Sequence, residues 1–206
     1  MKKWILTAII LSLFLTLSGF RLFDGQRKGF VVGLGLGPSY TSWHKTEKDL
    51  ENDTRTSQTD DRFGLGISLM LGYAPTNKLI FHNFTQGATF CDYQEKDKEK
   101  QVSYSHALGG FGATYYFRPG QEDTHWEPSI YFSTGIGYAN WLETIKEKKE
   151  LDIFGSGVYF GLGYEFKKHM RIEASLLLSN PADKTSQVDE KVDTFSILLT
   201  LFGVAY

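Results

Sequence analysis

The strongest constraint on this chain is an alternation of large apolar residues with glycine or small residues, repeated along most of its length. Phe63, Leu65, Ile67, Leu69, Leu71 and Tyr73 are separated by Gly64, Gly66, Ser68, Met70 and Gly72. Val158, Phe160, Leu162, Tyr164 and Phe166 repeat the pattern, as do Phe30, Val32, Leu34 and Leu36. Successive strand residues point to opposite faces, so each stretch predicts a β-strand with one oily face and one thin face. No helical period of useful length competes with it.

Eight segments read this way: 29–43, 62–74, 78–92, 102–118, 126–142, 154–167, 170–179 and 192–206. The third is the least regular, since His82, Asn83 and Gln86 interrupt both faces; a bulge is expected there. Connectors alternate between short ones, around Pro75–Asn77, 118–125 and 167–169, and longer charged ones at 44–61, 93–101, 143–153 and 180–191. Antiparallel strands joined in this way put every long loop at one end and both termini at the other. The expected fold is all-β: an eight-stranded antiparallel up-and-down transmembrane β-barrel over residues 29–206.

Alternation alone does not distinguish a membrane barrel from a soluble lipocalin-like one, which hides its oily face. Aromatic placement favours the membrane. Phe30, Tyr73, Phe117, Trp126 and Phe166 fall near the short-turn end of the oily face, and Tyr40, Phe63 and Tyr138 near the long-loop end. This makes two girdles at the depths where amphipathic rings settle. Ten residues separate Phe30 from Tyr40; at about 3.3 Å per residue and about 45° tilt they climb roughly 23 Å, close to the apolar height of such barrels. The glycines sit on the other face, where an eight-stranded barrel is only just wide enough for side chains such as Tyr116, Tyr131 and Tyr159. The last strand ends in Leu198-x-Thr200-x-Phe202-x-Val204-x-Tyr206. Tyr206 is expected on the oily face with Leu198, Phe202 and Val204, leaving Ile197, Leu199 and Leu201 to fill the lumen.

That terminal pattern, with Gly109-Gly110-Phe111-Gly112-Ala113-Thr114-Tyr115-Tyr116-Phe117 and Gly161-Leu162-Gly163-Tyr164-Glu165-Phe166, resembles the small outer-membrane β-barrel proteins that include OmpX, Ail and the transmembrane part of OmpA. The resemblance implies that Leu198, Phe202, Val204 and Tyr206 form a signal for the barrel-assembly machinery. It also implies lipid and lipopolysaccharide surroundings and an adhesin-type role for the loops. Residues 1–20 read as a signal peptide: Lys2 and Lys3, an uncharged run from Trp4 to Leu17, then Ser18 and Gly19. The alternative is an uncleaved anchor. Phe20 stands where a lipidated cysteine would be, which argues against a lipoprotein. Residues 21–28 are expected as a short periplasmic segment, with both termini periplasmic in a Gram-negative envelope.

On the thin face, Glu127, Glu165, Arg171 and Glu173 share one parity near the short-turn end, and Arg62 and His106 share it nearer the other. Charges facing lipid are costly, but inside they can pair. A plug in which Arg171 pairs with Glu165 and Glu173 is the expected structure; a proton or ion path is the sharper alternative. No His-x-Ser occurs, and Ser103 and Ser105 point away from His106, so no local pair supports a lipid A deacylase, although distant residues are free to converge. Asp49, Glu51, Asp53, Asp60 and Asp61 lack the spacing of a calcium loop. With one cysteine, Cys91, and a net charge of −2, neither a Cys-rich metal site nor a basic nucleic-acid face is expected. The expected function is a non-enzymatic outer-membrane barrel, without cofactor, that supports the envelope or presents charged loops to an extracellular protein. The alternatives are a narrow channel for small or apolar solutes and a lipid A-modifying enzyme.

Overall fold

A computed structural model describes residues 27–50, 52–92, 102–118, 127–145, 148–184 and 188–206. Its strands are β1 (Gly29–Asp49), β2 (Thr54–Thr76), β3 (Leu79–Asp92), β4 (Val102–Tyr116), β5 (Ser129–Ile145), β6 (Lys148–Lys167), β7 (Met170–Ser179), β8 (Ala182–Lys184) and β9 (Val188–Ala205). Each pairs antiparallel with its neighbour, and β1 pairs with β9, so the sheet closes on itself. The short β8 continues the line of β7 along β9, with a break at Asn180–Pro181. Proline lacks the N–H that the ladder needs there, while its carbonyl still accepts from Val192 N at 2.9 Å. Counted as rails, the ring has eight strands.

Partners followed once round from Gly33 lead through Met70, Phe84, Gly110, Gly137, Gly157, Ser179 and Thr194. The path returns to β1 at Trp43, ten residues further up. For eight strands that offset tilts each by about 40°. The oily face looks outward: Leu34, Leu65, Leu69, Phe160 and Leu162 are all exposed, as are Phe63, Tyr73, Phe117, Tyr138 and Phe166 of the girdles. Phe30 and Tyr40 are half-buried on the same face. Trp126 and residues 1–20, the expected signal peptide, lie outside the described residues.

Three expectations are corrected. Residues 44–61 are not a loop: β1 and β2 stay in register up to Asp49↔Thr54 and rise as one long hairpin. β3 has no bulge; its pairing with β4 is unbroken from Leu79 to Asp92, with His82 and Gln86 inside and Asn83 outside. In β9 the faces are reversed. Leu198, Phe202, Val204 and Tyr206 are buried inside, and Ile197, Leu199 and Leu201 are exposed. Thr194, Ser196 and Thr200 share the inward parity, but Leu198, Phe202 and Val204 lie between and beyond them and mask that signal; the register with β1, Tyr40↔Ile197 and Thr41↔Ser196, sets the same faces.

The lumen is filled where glycines open the wall. A Cβ on Gly163 would lie 2.1 Å from the Tyr131 ring, and one on Gly135 2.5 Å from Phe84. Gly203 faces outward, and a Cβ there meets nothing within 4 Å. Gly163→Val should therefore destabilise the barrel by about 1–3 kcal/mol while Gly203→Ala changes little. Urea titration of the heat-modifiable band in detergent micelles would measure both.

Candidate functional site

The lumen carries the polar side chains, arranged in layers along the barrel. At the short-turn end, Arg27 Nε donates to Glu165 Oε2 at 3.1 Å and its Nη2 to the Glu127 carbonyl at 2.7 Å. The Tyr206 hydroxyl donates to Glu165 Oε1. Both charges of the pair are buried. The Arg27 guanidinium lies 4.4 Å from the Tyr116 ring centre, and Tyr116 packs on Tyr131 at 5.1 Å. Arg171 follows, 4.8 Å from the Tyr131 ring and 4.4 Å from Phe202, with Nη1 donating to Tyr116 OH at 3.4 Å. Glu173 accepts from Ser175 Oγ at 2.8 Å.

Most of the expected cluster is therefore present, but it is paired differently. Glu165, Arg171, Glu173 and His106 are buried inside. Glu165 is adjacent to Arg171 in the ladder, yet its ion-pair partner among the described residues is Arg27, which lies ahead of β1 where alternation gives no guide. Arg171 is held by aromatic faces instead. Glu127 does not belong: it is exposed, ahead of β5, and offers only its carbonyl. Arg62 is half-buried near the other end, 2.5 Å from Asp60.

Above this layer, His82 Nε2 hydrogen-bonds Thr114 Oγ1 at 3.0 Å, and Thr114 hydrogen-bonds Ser133 at 2.8 Å. An apolar layer follows, built from Phe84, Ala88, Leu108, Ala139, Tyr159, Leu177 and Leu198. Beyond it His106 bridges β9 and β7, with Nδ1 to Ser196 Oγ at 2.7 Å and Nε2 to Ser179 Oγ at 2.8 Å; Ser196 also meets Thr41 at 2.7 Å. A histidine and serines distant in sequence do converge, but they face the lumen and not the membrane. The parity of Thr41 and Trp43 with Gly33, Gly35 and Gly37 was the signal available for this layer.

At the long-loop end, Trp43, Phe90, Tyr104 and Trp141 pack with ring centres 5.2–6.0 Å apart, backed by Ile153 and Val192. Over them Lys45 Nζ lies 3.6 Å from both Glu143 and Glu190, tying β1 to β5 and β9. The β1–β2 hairpin rises further. Lys48 Nζ meets Asp53 Oδ1 at 2.8 Å at its tip, where Asp53 has a φ of 51°. On its outer side β2 pairs with β3 only from Leu65↔Thr89 inward. Among the described residues, Thr54–Gly64 have no ladder partner on that side. Cys91 is exposed.

No protein-family model and no curated protein matches the sequence. Solved structures do. The outer membrane protein OprG from Pseudomonas aeruginosa superposes with a TM-score of 0.53 at 12% identity, over 88% of this chain and 98% of that one. Neisserial surface protein A gives 0.46 at 15% identity over 86% and 97%. Ail, the attachment invasion locus protein of Yersinia pestis, gives 0.42 at 12% identity over 84% and 99%. The chain has the fold of the small outer-membrane β-barrel proteins.

Two measurements test this site. Removing one partner of a buried ion pair strands the other, so Arg27→Met or Glu165→Leu alone should each cost about 3–5 kcal/mol, and the double variant less than their sum. Denaturant unfolding of the four proteins would show it. At the hairpin tip, the hydrogen bond and charge of Lys48 hold the Asp53 carboxyl below its ordinary 3.8. That interaction is present above the ordinary value and fades as the pH falls through the lowered one. Side-chain NMR titration should find Asp53 below 3.8, and Lys48→Met should raise it.

Proposed function

We propose that this protein is a closed, non-enzymatic outer-membrane barrel that presents its β1–β2 hairpin to an extracellular protein. The observation that carries the reading is the outer edge of β2 over Thr54–Gly64, which has no ladder partner among the described residues, on a sheet held upright by pairing with β1. An exposed strand edge offers a row of backbone donors and acceptors, to which an extended segment of a partner adds as a further strand. The mixed charges on the hairpin keep that edge soluble and set which partner side chains are accepted.

A closed lumen is favoured over the narrow channel by three stacked side-chain clusters. The lowest holds Tyr116, Tyr131, Phe202 and Tyr206, the middle Leu108, Leu177 and Leu198, and the uppermost Trp43, Phe90 and Trp141. The middle one lies between His82 and His106, with Gln86 buried among its side chains. In this reading residues 1–20 are the export signal, both termini are periplasmic and the wall meets phospholipid and lipopolysaccharide. The terminal strand, with Leu198, Phe202, Val204 and Tyr206, is the segment offered to the assembly machinery.

Thr46 pairs with Ser57, so deleting residues 47–56 shortens the hairpin without shifting its register. The shortened protein should retain its heat-shifted band, and attachment of expressing cells to a protein-coated surface should fall about tenfold, as loss of one hot segment would give. Unchanged attachment would remove the edge from consideration. In planar bilayers the full chain should show no steady conductance; discrete openings would restore the channel.

A further inference from the structure

We infer that the outer wall over β3 and β4 is the surface on which two copies of this chain pair in the membrane. The inference rests on the outer-membrane reading, because it concerns what lies in hydrocarbon. Elsewhere the wall presents mainly leucine, isoleucine, valine and aromatic rings, with isolated small or hydroxyl residues such as Thr134, Ala174 and Gly203. On β3, beyond Phe81, it presents Asn83, Thr85 and Gly87. Across the ladder, Thr85 faces Gly109 and Gly87 faces Ala107, so the wall thins to a shallow floor.

Asn83 is the anomaly. It is exposed on the outer face, between Leu71 on one side and Phe111 on the other, both of them exposed to the membrane. No described residue hydrogen-bonds its side chain. An acyl chain has nothing to offer a primary amide, and leaving one unpaired in hydrocarbon is costly. An amide carries both donors and acceptors, so it is its own complement. A two-fold axis along the membrane normal, passing through the β3–β4 pair, brings Asn83 to its counterpart at the same depth.

Shape agrees with chemistry. Phe111 is 72% exposed and stands beside the floor of small residues. A knob next to a hole is the relief that an isologous contact needs: each Phe111 lies over the other copy's Thr85 and glycines. Small residues at close approach, joined by a polar pair, form a recurrent contact between membrane segments.

The test uses the full chain refolded in liposomes, with Cys91→Ser as background. Thr85→Cys should form a disulfide dimer under a lipid-soluble oxidant. Leu199→Cys, exposed on the wall of β9, should not. Adding Asn83→Leu to Thr85→Cys should lower the dimer yield and weaken association about tenfold in sedimentation, at the modest strength such pairs have in membranes. Every variant is first checked for the heat-shifted band. A folded barrel in which Thr85→Cys and Leu199→Cys crosslink alike overturns the pairing, as does one in which Asn83→Leu associates as tightly as Asn83. Crosslinking in native membranes to a different protein also overturns it. Absence of the heat shift in the unmodified chain would overturn the barrel reading itself.

Discussion

Every other feature of this molecule depends on closure of the backbone hydrogen-bond ladder, β1 onto β9. In hydrocarbon a strand edge cannot be left to solvent, so the sheet is stable only when its first and last strands meet. The ten-residue offset that closes the ring also sets the tilt, the depth of each side chain and the bore of the lumen. The hairpin of β1 and β2 rises beyond the level at which β2 and β3 pair among the described residues.

A bore of eight strands leaves little room, and this chain uses it by pairing glycine with bulk. Tyr131 lies over Gly163, Phe84 and Tyr159 over Gly135, and Phe202 over Gly35. These contacts let aromatic rings cross the lumen without distorting the wall. They also provide the faces on which Arg27 and Arg171 rest, a low-dielectric setting in which a cation is stabilised by ring faces as well as by carboxylate. Charge inside and oil outside follow from the same tiling: removing side-chain volume at one position makes a place for a longer side chain from across the barrel.

The layers differ in what they do. The lower layer joins Arg27, Glu165 and Tyr206, and so ties the segment before β1 and the end of the chain to β6. The His106 layer joins β4 to β7 and β9. The aromatic layer at the mouth, with Lys45 shared between Glu143 and Glu190, joins β1 to β5 and β9 across the opening. Arg27–Glu165, His106–Ser196 and Lys45–Glu143 act between segments that are not ladder neighbours, and Lys45–Glu190 reinforces the β1–β9 seam.

The linear sequence by itself determined the strands and the sense of the wall. A period of two with glycine on one side and Leu, Ile and Phe on the other has few other solutions, and Leu34, Leu65, Leu69, Phe160 and Leu162 face outward as it requires. It failed where its signal vanishes. In β9 the polar parity of Thr194, Ser196 and Thr200 is masked by Leu198, Phe202 and Val204, and all of these turn inward with Tyr206. In 44–61 the charges mark exposure to water, which a paired hairpin satisfies as well as a loop. Arg27 lies outside the alternation, and its choice of Glu165 over a solvent position is a three-dimensional fact. The partner of a charge in a barrel is whatever the shear brings opposite it, and shear is a property of the closed ring that no single strand carries.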